Sequence, residues 1–129
     1  MSQSSAVTRG IQVDVSARFV PEQSAPGDGQ WFFAYQITIS NLSERTVQLL
    51  SREWIITNAS GKVETVRGPG VVGHQPTLRP NEGFQYVSGC PLDSSVGTMH
   101  GSYQMQGEDG EVFEVTIAPF ILADPMSVN

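Results

Sequence analysis

The sequence predicts an all-β protein, a single domain built as an antiparallel β-sandwich of about seven strands. Three observations support this fold class. Short segments alternate apolar and polar residues with a period of two, turn-forming residues separate these segments, and no segment has a convincing long helical pattern. The composition agrees, because the 129 residues include 13 Gly and 8 Pro while only 16% are charged, against about 25% in ordinary globular domains.

The first elements show the strand pattern most clearly. Residues 1–8 are small and polar and are expected to form a flexible N-terminal tail. Residues 11–19 then place apolar side chains at every second position, as a half-buried strand requires. A turn-rich segment leads to residues 31–40, where Trp31, Phe33 and Tyr35 begin a second alternating row. The two strands are predicted to pair antiparallel.

The middle of the chain is less regular. Residues 46–57 fit a helix through Val47, Leu50 and Trp54 as well as a strand whose apolar row is broken by Arg52; a strand is favoured. Residues 58–61 form a plausible hairpin turn into the segment 62–66. Residues 68–80 contain three Gly and three Pro, so this segment is predicted to be a loop.

Three further strands are predicted at residues 84–88, 99–106 and 112–117, with a turn at 107–110 between the last two. The sandwich domain is therefore expected to span residues 9–122. Residues 123–129 are expected to form a C-terminal tail.

Charge and cysteine content limit the class of function. Thirteen acidic against seven basic residues give a net charge of −6, the wrong sign for a domain held to nucleic-acid phosphates. The single cysteine, Cys90, excludes an intramolecular disulfide and a Cys-x-x-Cys site. No apolar run is long enough for a signal peptide or a membrane span. A cytoplasmic protein that binds neither nucleic acid nor membrane is expected.

One motif points to a ligand. Residues 68–73 match Gly-x-Gly-x-x-Gly, but no helix follows to direct its N-terminus at a dinucleotide, so a Rossmann site is not expected. Two interpretations stay open. The loop is either purely structural or a small nest that binds a phosphate-containing ligand. The residues of that candidate anion site are Arg67, Gly68, Gly70, Gly73, His74 and Arg79.

No catalytic or metal-binding constellation is expected. His74, Cys90 and His100 are 16 and 10 residues apart, which matches no ligand signature. The acidic residues between 108 and 114 fit a turn and a solvated strand face better than a pair of acid–base catalysts. The residues therefore predict a protein that is not an enzyme and that needs no cofactor or metal.

A series of segments in fixed order resembles the ApaG family. They are SREW at 51–54, VRGPGVVGHQP at 66–76, FQYVSG at 84–89, GTMHGSYQM at 97–105, GEVF at 110–113 and PFIL at 119–122. The similarity runs over most of the chain. One departure is His74, which stands where the family usually has Glu, so a carboxylate role there does not transfer.

The resemblance implies an immunoglobulin-like or fibronectin type III-like sandwich, in agreement with the strand pattern. It also implies a link to cobalt resistance and magnesium efflux, and related domains in larger eukaryotic proteins suggest a partner-binding module. The leading hypothesis is a non-enzymatic module, a monomer or weak homodimer, that binds an unidentified protein through an edge strand or exposed loop. The alternative is a protein that binds phosphate or a dinucleoside polyphosphate through the loop 67–79.

Overall fold

The computed structural model describes residues 2–127, which form nine β-strands and three short 3-10 turns. The strands are β1 (Ser2–Thr8), β2 (Ile11–Phe19), β3 (Trp31–Asn41), β4 (Val47–Asn58), β5 (Val63–Pro69), β6 (Thr77–Leu78), β7 (Gly83–Leu92), β8 (Val96–Gly107) and β9 (Val112–Ala123). None of the helical turns in this part of the chain is long and apolar enough to cross a membrane.

The strands form two antiparallel sheets that pack face to face, which confirms the predicted fold class. The described residues form nine strands rather than about seven, because β1 and the two-residue β6 were not predicted. Sheet I has the order β1-β2-β3-β7, and sheet II has the order β5-β4-β8-β9, with the short β6 also paired to β4. The core between them is built from the inward row of each strand, as in β2, where residues 11, 13, 15 and 17 are buried. Tyr35 of sheet I makes edge and tilted ring contacts with Trp54 and Phe120 of sheet II, and these two rings also meet edge to face.

The predicted strand at 46–57 is confirmed as β4, and the structure explains its irregular pattern. The register with β8 shifts between Leu49 and Ser51, which is the signature of a β-bulge. The bulge moves Leu50 out of the inward row, so that Leu49 is fully buried instead. Arg52 consequently lies on the same face of β4 as buried Trp54, and its side chain approaches the core.

Both predicted tails differ from the structure in the described residues. Ser2–Thr8 is not loose but pairs with β2 over its whole length. Ala123 ends β9, and Asp124 is buried and accepts a hydrogen bond from Trp31 Nε1 at 3.3 Å. Residue 1 and residues 128–129 of those tails lie outside the described residues.

Hydroxyl side chains of β1 explain how this polar strand is attached to β9. Ser4 Oγ donates to Ala118 O at 2.9 Å, while Ser2 Oγ and Thr8 Oγ1 accept from backbone N–H groups of β9 at 3.0 and 3.1 Å. The β1 side chains therefore satisfy backbone groups along the edge of β9. This closes one side of the sandwich.

Candidate functional site: the open side of the sandwich

The opposite side of the sandwich is not closed. Tyr86 of β7 reaches Tyr103 of β8 across the core, with 2.6 Å between their hydroxyl oxygens, so this part of β7 packs toward β8, which β4 separates from β5 in sheet II. Six of the seven residues of β5 are exposed, on both faces of the strand. Glu64 and Val66, on the inner face of β5, are therefore left largely uncovered by sheet I. We call the space beside β7 and over β5 the vacant position.

The free edge of β7 faces the vacant position. Val20 N donates to Phe32 O at 2.9 Å on the β2 side of β3, and successive residues of a strand direct their backbone groups to opposite sides. The backbone N–H and C=O groups of Phe33 and of every second residue from it therefore point to β7. Their partners in β7 are the even-numbered residues. The backbone groups of Gln85, Val87 and Gly89 consequently point away from β3, toward the vacant position.

This edge carries little protection against pairing. The ten residues of β7 include no Asp, Glu, Lys or Arg, and the Val87 side chain is 61% exposed. Natural proteins usually protect an edge strand with charges, proline or a covering segment. Here only Pro91, which lacks an N–H at an outward-facing position, protects one end of β7.

The other free edge, that of β5, is better protected. The bonds of Asn58 N to Lys62 O at 3.0 Å and Gly70 N to Leu50 O at 2.8 Å fix its pairing pattern, so Val63, Thr65 and Arg67 direct their backbone groups outward. Charged side chains at positions 64 and 67 and Pro69 interrupt this edge. Of the two edges, β7 is thus the one suited to receive another strand.

A cavity of about 480 Å³ opens at one end of the vacant position. Trp31, Ile56 and Leu92 supply its apolar surface, and Lys62 and Glu64 stand at its rim on the β5 side. Trp31 and Leu92 come from paired positions of β3 and β7, and Ile56 lies opposite Glu64 in the pairing of β4 with β5. The cavity therefore joins both sheets at their open side.

The other end of the vacant position is bounded by the glycine loop. Val71 is fully buried and exchanges backbone hydrogen bonds with His74, both at 2.8 Å, and the His74 ring lies 5.8 Å from that of Phe84 on β7. Gly73 (φ 84°) and Val72 (φ 42°) occupy the two central positions of this tight turn, which need positive φ. The loop is thus an ordered cover.

Arg52 holds this loop in place, and the sequence reasoning did not assign it a role. Its Nη1 donates to Pro69 O at 3.0 Å and to Gly70 O at 2.9 Å. The guanidinium lies over Gly68, where a Cβ would come within 3.1 Å of it. This close approach explains the first glycine of the motif without a ligand. The bulge in β4 turns Arg52 inward, and periodicity does not reveal that bulge.

The structure does not gather the six predicted anion-site residues into one nest. Arg67 forms an ion pair with Glu53 on the outer face of sheet II, while Arg79 pairs with Glu82 at 3.5 Å. Arg67 pairs with Glu53 of β4, and Arg79 comes directly after Leu78, which pairs with Val47 of the same strand. Since Val47 and Glu53 are roughly 20 Å apart along β4, the backbones of the two arginines are separated by a similar distance. The N–H groups of Gly70 and His74 are occupied by carbonyl oxygens.

Buried polar groups between the sheets are neutral at ordinary pH. Burial raises the pKa of Tyr35, Tyr86 and Tyr103. Burial likewise raises the pKa of Cys90 to about 11, so its thiol is a poor nucleophile near neutral pH. Within residues 2–127, no three His, Cys, Asp or Glu side chains are grouped so that they could hold a metal ion.

Comparisons with known proteins give one consistent result. A family model described as the ApaG domain matches residues 21–107. Protein ApaG of Brucella anthropi is 56% identical over 120 residues, which cover 93% of this chain and 92% of that protein. Protein ApaG of Beijerinckia indica is 51% identical over 123 residues, 95% of each chain.

Solved structures agree with these sequence matches. A crystal structure from Bordetella pertussis, described as an ApaA protein, superposes with a TM-score of 0.87 at 50% identity and covers 91% of this chain and 95% of its own. The C-terminal domain of wzt has a TM-score of 0.53 at 10% identity, covering 94% of this chain and 77% of that one. The second similarity shows the fold alone.

Proposed function

This chain belongs to the ApaG domain family, and we propose that it is a non-enzymatic interaction module that binds an extended segment of a partner protein at the free edge of β7. Strand addition needs only backbone groups for its basic affinity. Gln85, Val87 and Gly89 offer three outward N–H and three outward C=O groups to such a segment. The added strand would fill the vacant position and cover β5.

The contrast between the two sides of the sandwich carries this proposal. At the β1–β9 side, hydroxyl groups of β1 occupy backbone groups of β9. At the β5–β7 side, an uncharged edge with an exposed valine is left beside an uncovered strand. A sandwich that satisfies one edge so fully and leaves the other open is suited to a partner that supplies the missing strand.

A bound partner would also account for the link to cobalt resistance and magnesium efflux that the resemblance to the family implies. The described residues contain no group of ligands for a metal ion, and we propose that any effect on metal tolerance is exerted through the bound protein. The reduced, buried thiol of Cys90 suits the cytoplasm, where we expect the module to act.

Site-specific photocrosslinking in living cells tests the proposal. We would place p-benzoylphenylalanine at position 87 and, as a matched control, at position 121. Val87 and Ile121 are both exposed strand residues, at 61% and 55%, but Ile121 lies on β9, whose edge β1 covers. A discrete adduct with another protein at 87 and not at 121 is expected.

Two results would contradict the proposal. Identical adduct patterns at the two positions, or none at either, would mean that the β7 edge has no specific occupant. An adduct of twice the chain mass, found with purified protein as well as in cells, would make a second copy of the chain the occupant in place of a different protein.

A further inference from the structure

The pairing of charges divides the seven cations of the chain into two groups. Arg9, Arg45, Arg67 and Arg79 each have a carboxylate partner. Arg18, Arg52 and Lys62 have none among the described residues. Two of these three, Arg52 and Lys62, border the vacant position. Since the chain carries a net charge of −6, acidic side chains are abundant, yet none pairs with these two cations.

Arg52 is placed to receive a carboxylate from the vacant position. Both of its hydrogen bonds within the described residues come from Nη1, and its guanidinium lies over Gly68, on the inner face of β5. It is half-buried, so a carboxylate there would meet a partly desolvated donor group. Such charge-assisted bonds are about twice as strong as neutral ones.

The uncovered face of β5 presents a definite order of chemistry. Position 68 is covered by Arg52, position 66 is a valine and position 64 is a glutamate beside Ile56. Lys62 comes just before β5, where its carbonyl accepts a hydrogen bond from Asn58 N and continues the pairing. Positions two apart on a strand are about 6.6 Å apart, and an extended segment alongside has the same spacing. Four successive inward side chains of that segment would therefore meet a cation, an apolar surface, the apolar cavity with Glu64 at its rim, and a second cation.

Resting on the proposed function, we propose that the vacant position selects an acidic extended segment in which two apolar side chains lie between two carboxylates, in the pattern acid-x-apolar-x-apolar-x-acid. The second apolar side chain enters the cavity formed by Trp31, Ile56 and Leu92. The carboxylates meet Arg52 and Lys62. Glu64 excludes an acid at the central positions, because like charges at close range are repelled.

Selection from a displayed library of random twelve-residue peptides tests this inference on the intact protein. We would collect the peptides that bind the wild type and do not bind the Val87→Pro variant. This substitution removes an outward N–H without breaking the pairing with β3. We expect the collected peptides to be enriched in Asp and Glu at a spacing of six, with large apolar residues between them.

Matched variants then measure the side-chain contributions with one synthesised peptide from the selection. Lys62→Gln should weaken binding about two- to fivefold at low ionic strength, as expected for an exposed ion pair. Arg18→Gln, which removes a cation that has no carboxylate partner and lies away from the vacant position, should leave binding unchanged. Replacement by Gly of the second apolar residue of the pattern, the one that enters the cavity, should weaken binding at least tenfold.

The outcomes separate the two proposals. Peptides that depend on Val87 but are neutral or basic, or that bind equally to wild type and Lys62→Gln, would overturn the acidic pattern and leave the interaction module standing. If no peptide distinguishes the wild type from Val87→Pro while Val87→Pro remains folded by circular dichroism, the module and the inference both fail.

Discussion

Two proline substitutions at neighbouring positions of β7 should differ sharply in their effect on stability. The backbone N–H of Val87 points to the vacant position, whereas that of Ser88 points to Tyr35 of β3. Val87→Pro removes no bond of the sheet and alters a side chain that is already 61% exposed. Ser88→Pro removes a ladder bond and leaves the carbonyl of Tyr35, a buried residue, without its partner.

The expected magnitudes follow from these positions. Val87→Pro should change the free energy of unfolding by less than about 1 kcal/mol, because proline is tolerated where an edge N–H faces outward. Ser88→Pro should lower it by about 2–4 kcal/mol, which combines the lost hydrogen bond with the desolvation penalty of the orphaned carbonyl. A domain with about 5–15 kcal/mol of total stability would survive either change.

Urea unfolding followed by circular dichroism would measure both variants. The urea midpoint of Ser88→Pro should fall while the m-value stays constant. A constant m-value would mean that the variant exposes the same surface on unfolding and differs only in stability. If Val87→Pro destabilises the protein as much as Ser88→Pro does, the backbone directions assigned to β7 are wrong. The free edge, on which both proposals depend, would then not exist.

Four other changes test the packing. Gly101→Ala should lower the free energy of unfolding by about 1–3 kcal/mol, because its Cβ would overlap the carbonyl oxygen of Glu53; Gly27→Ala, with open space around it, is the control in thermal unfolding. Tyr103→Phe should cost about 1–2 kcal/mol by urea unfolding, since it leaves the Tyr86 hydroxyl buried without its partner; no loss would contradict that bond. Val72→Asn should raise stability by about 1 kcal/mol, because asparagine tolerates the left-handed conformation at φ 42°; an unchanged melting temperature would argue against strain there. Stability should fall as the pH rises above about 10, because burial raises the pKa of all three tyrosines above 10.0 in the folded chain while the unfolded chain loses these protons first; urea midpoints that are equal at about pH 8 and about pH 10.5 would contradict this.

The fold class and most strands could be predicted because alternation reports burial directly. β2 and β3 each bury one face, and their apolar rows are visible in the sequence. β1 could not be predicted in this way. It buries no residue completely and is held by pairing with β2 and by serine and threonine hydroxyls on β9, and such contacts leave no hydrophobic pattern.

The candidate site was harder to predict than the fold. The Gly-x-Gly-x-x-Gly motif drew attention to the loop, but its glycines accommodate Arg52 and a tight turn. The vacant position depends on how the two sheets are offset, with Tyr86 of β7 reaching Tyr103 of β8, and on β7 being the last strand of sheet I. Periodicity within a segment identifies strands but not their neighbours, so nothing local in the sequence indicates which edges stay free.

The free edge of β7 is short enough to remain unpaired without a specific partner. Gln85, Val87 and Gly89 offer six outward backbone groups, and Gly83 and the Pro91 carbonyl add three more, so that nine hydrogen bonds would together be worth about 4.5–13.5 kcal/mol at the usual net value of each. Association opposes this with about 4–15 kcal/mol of lost translational and rotational freedom, before any side chain is ordered. Backbone pairing alone therefore gives little or no affinity, which explains how an uncharged edge is tolerated. A partner that binds must gain the remainder from side chains, and the surfaces within reach are the apolar cavity at Trp31 and the two cations that lack carboxylates. A partner must therefore both add a strand to β7 and carry side chains that fit these surfaces.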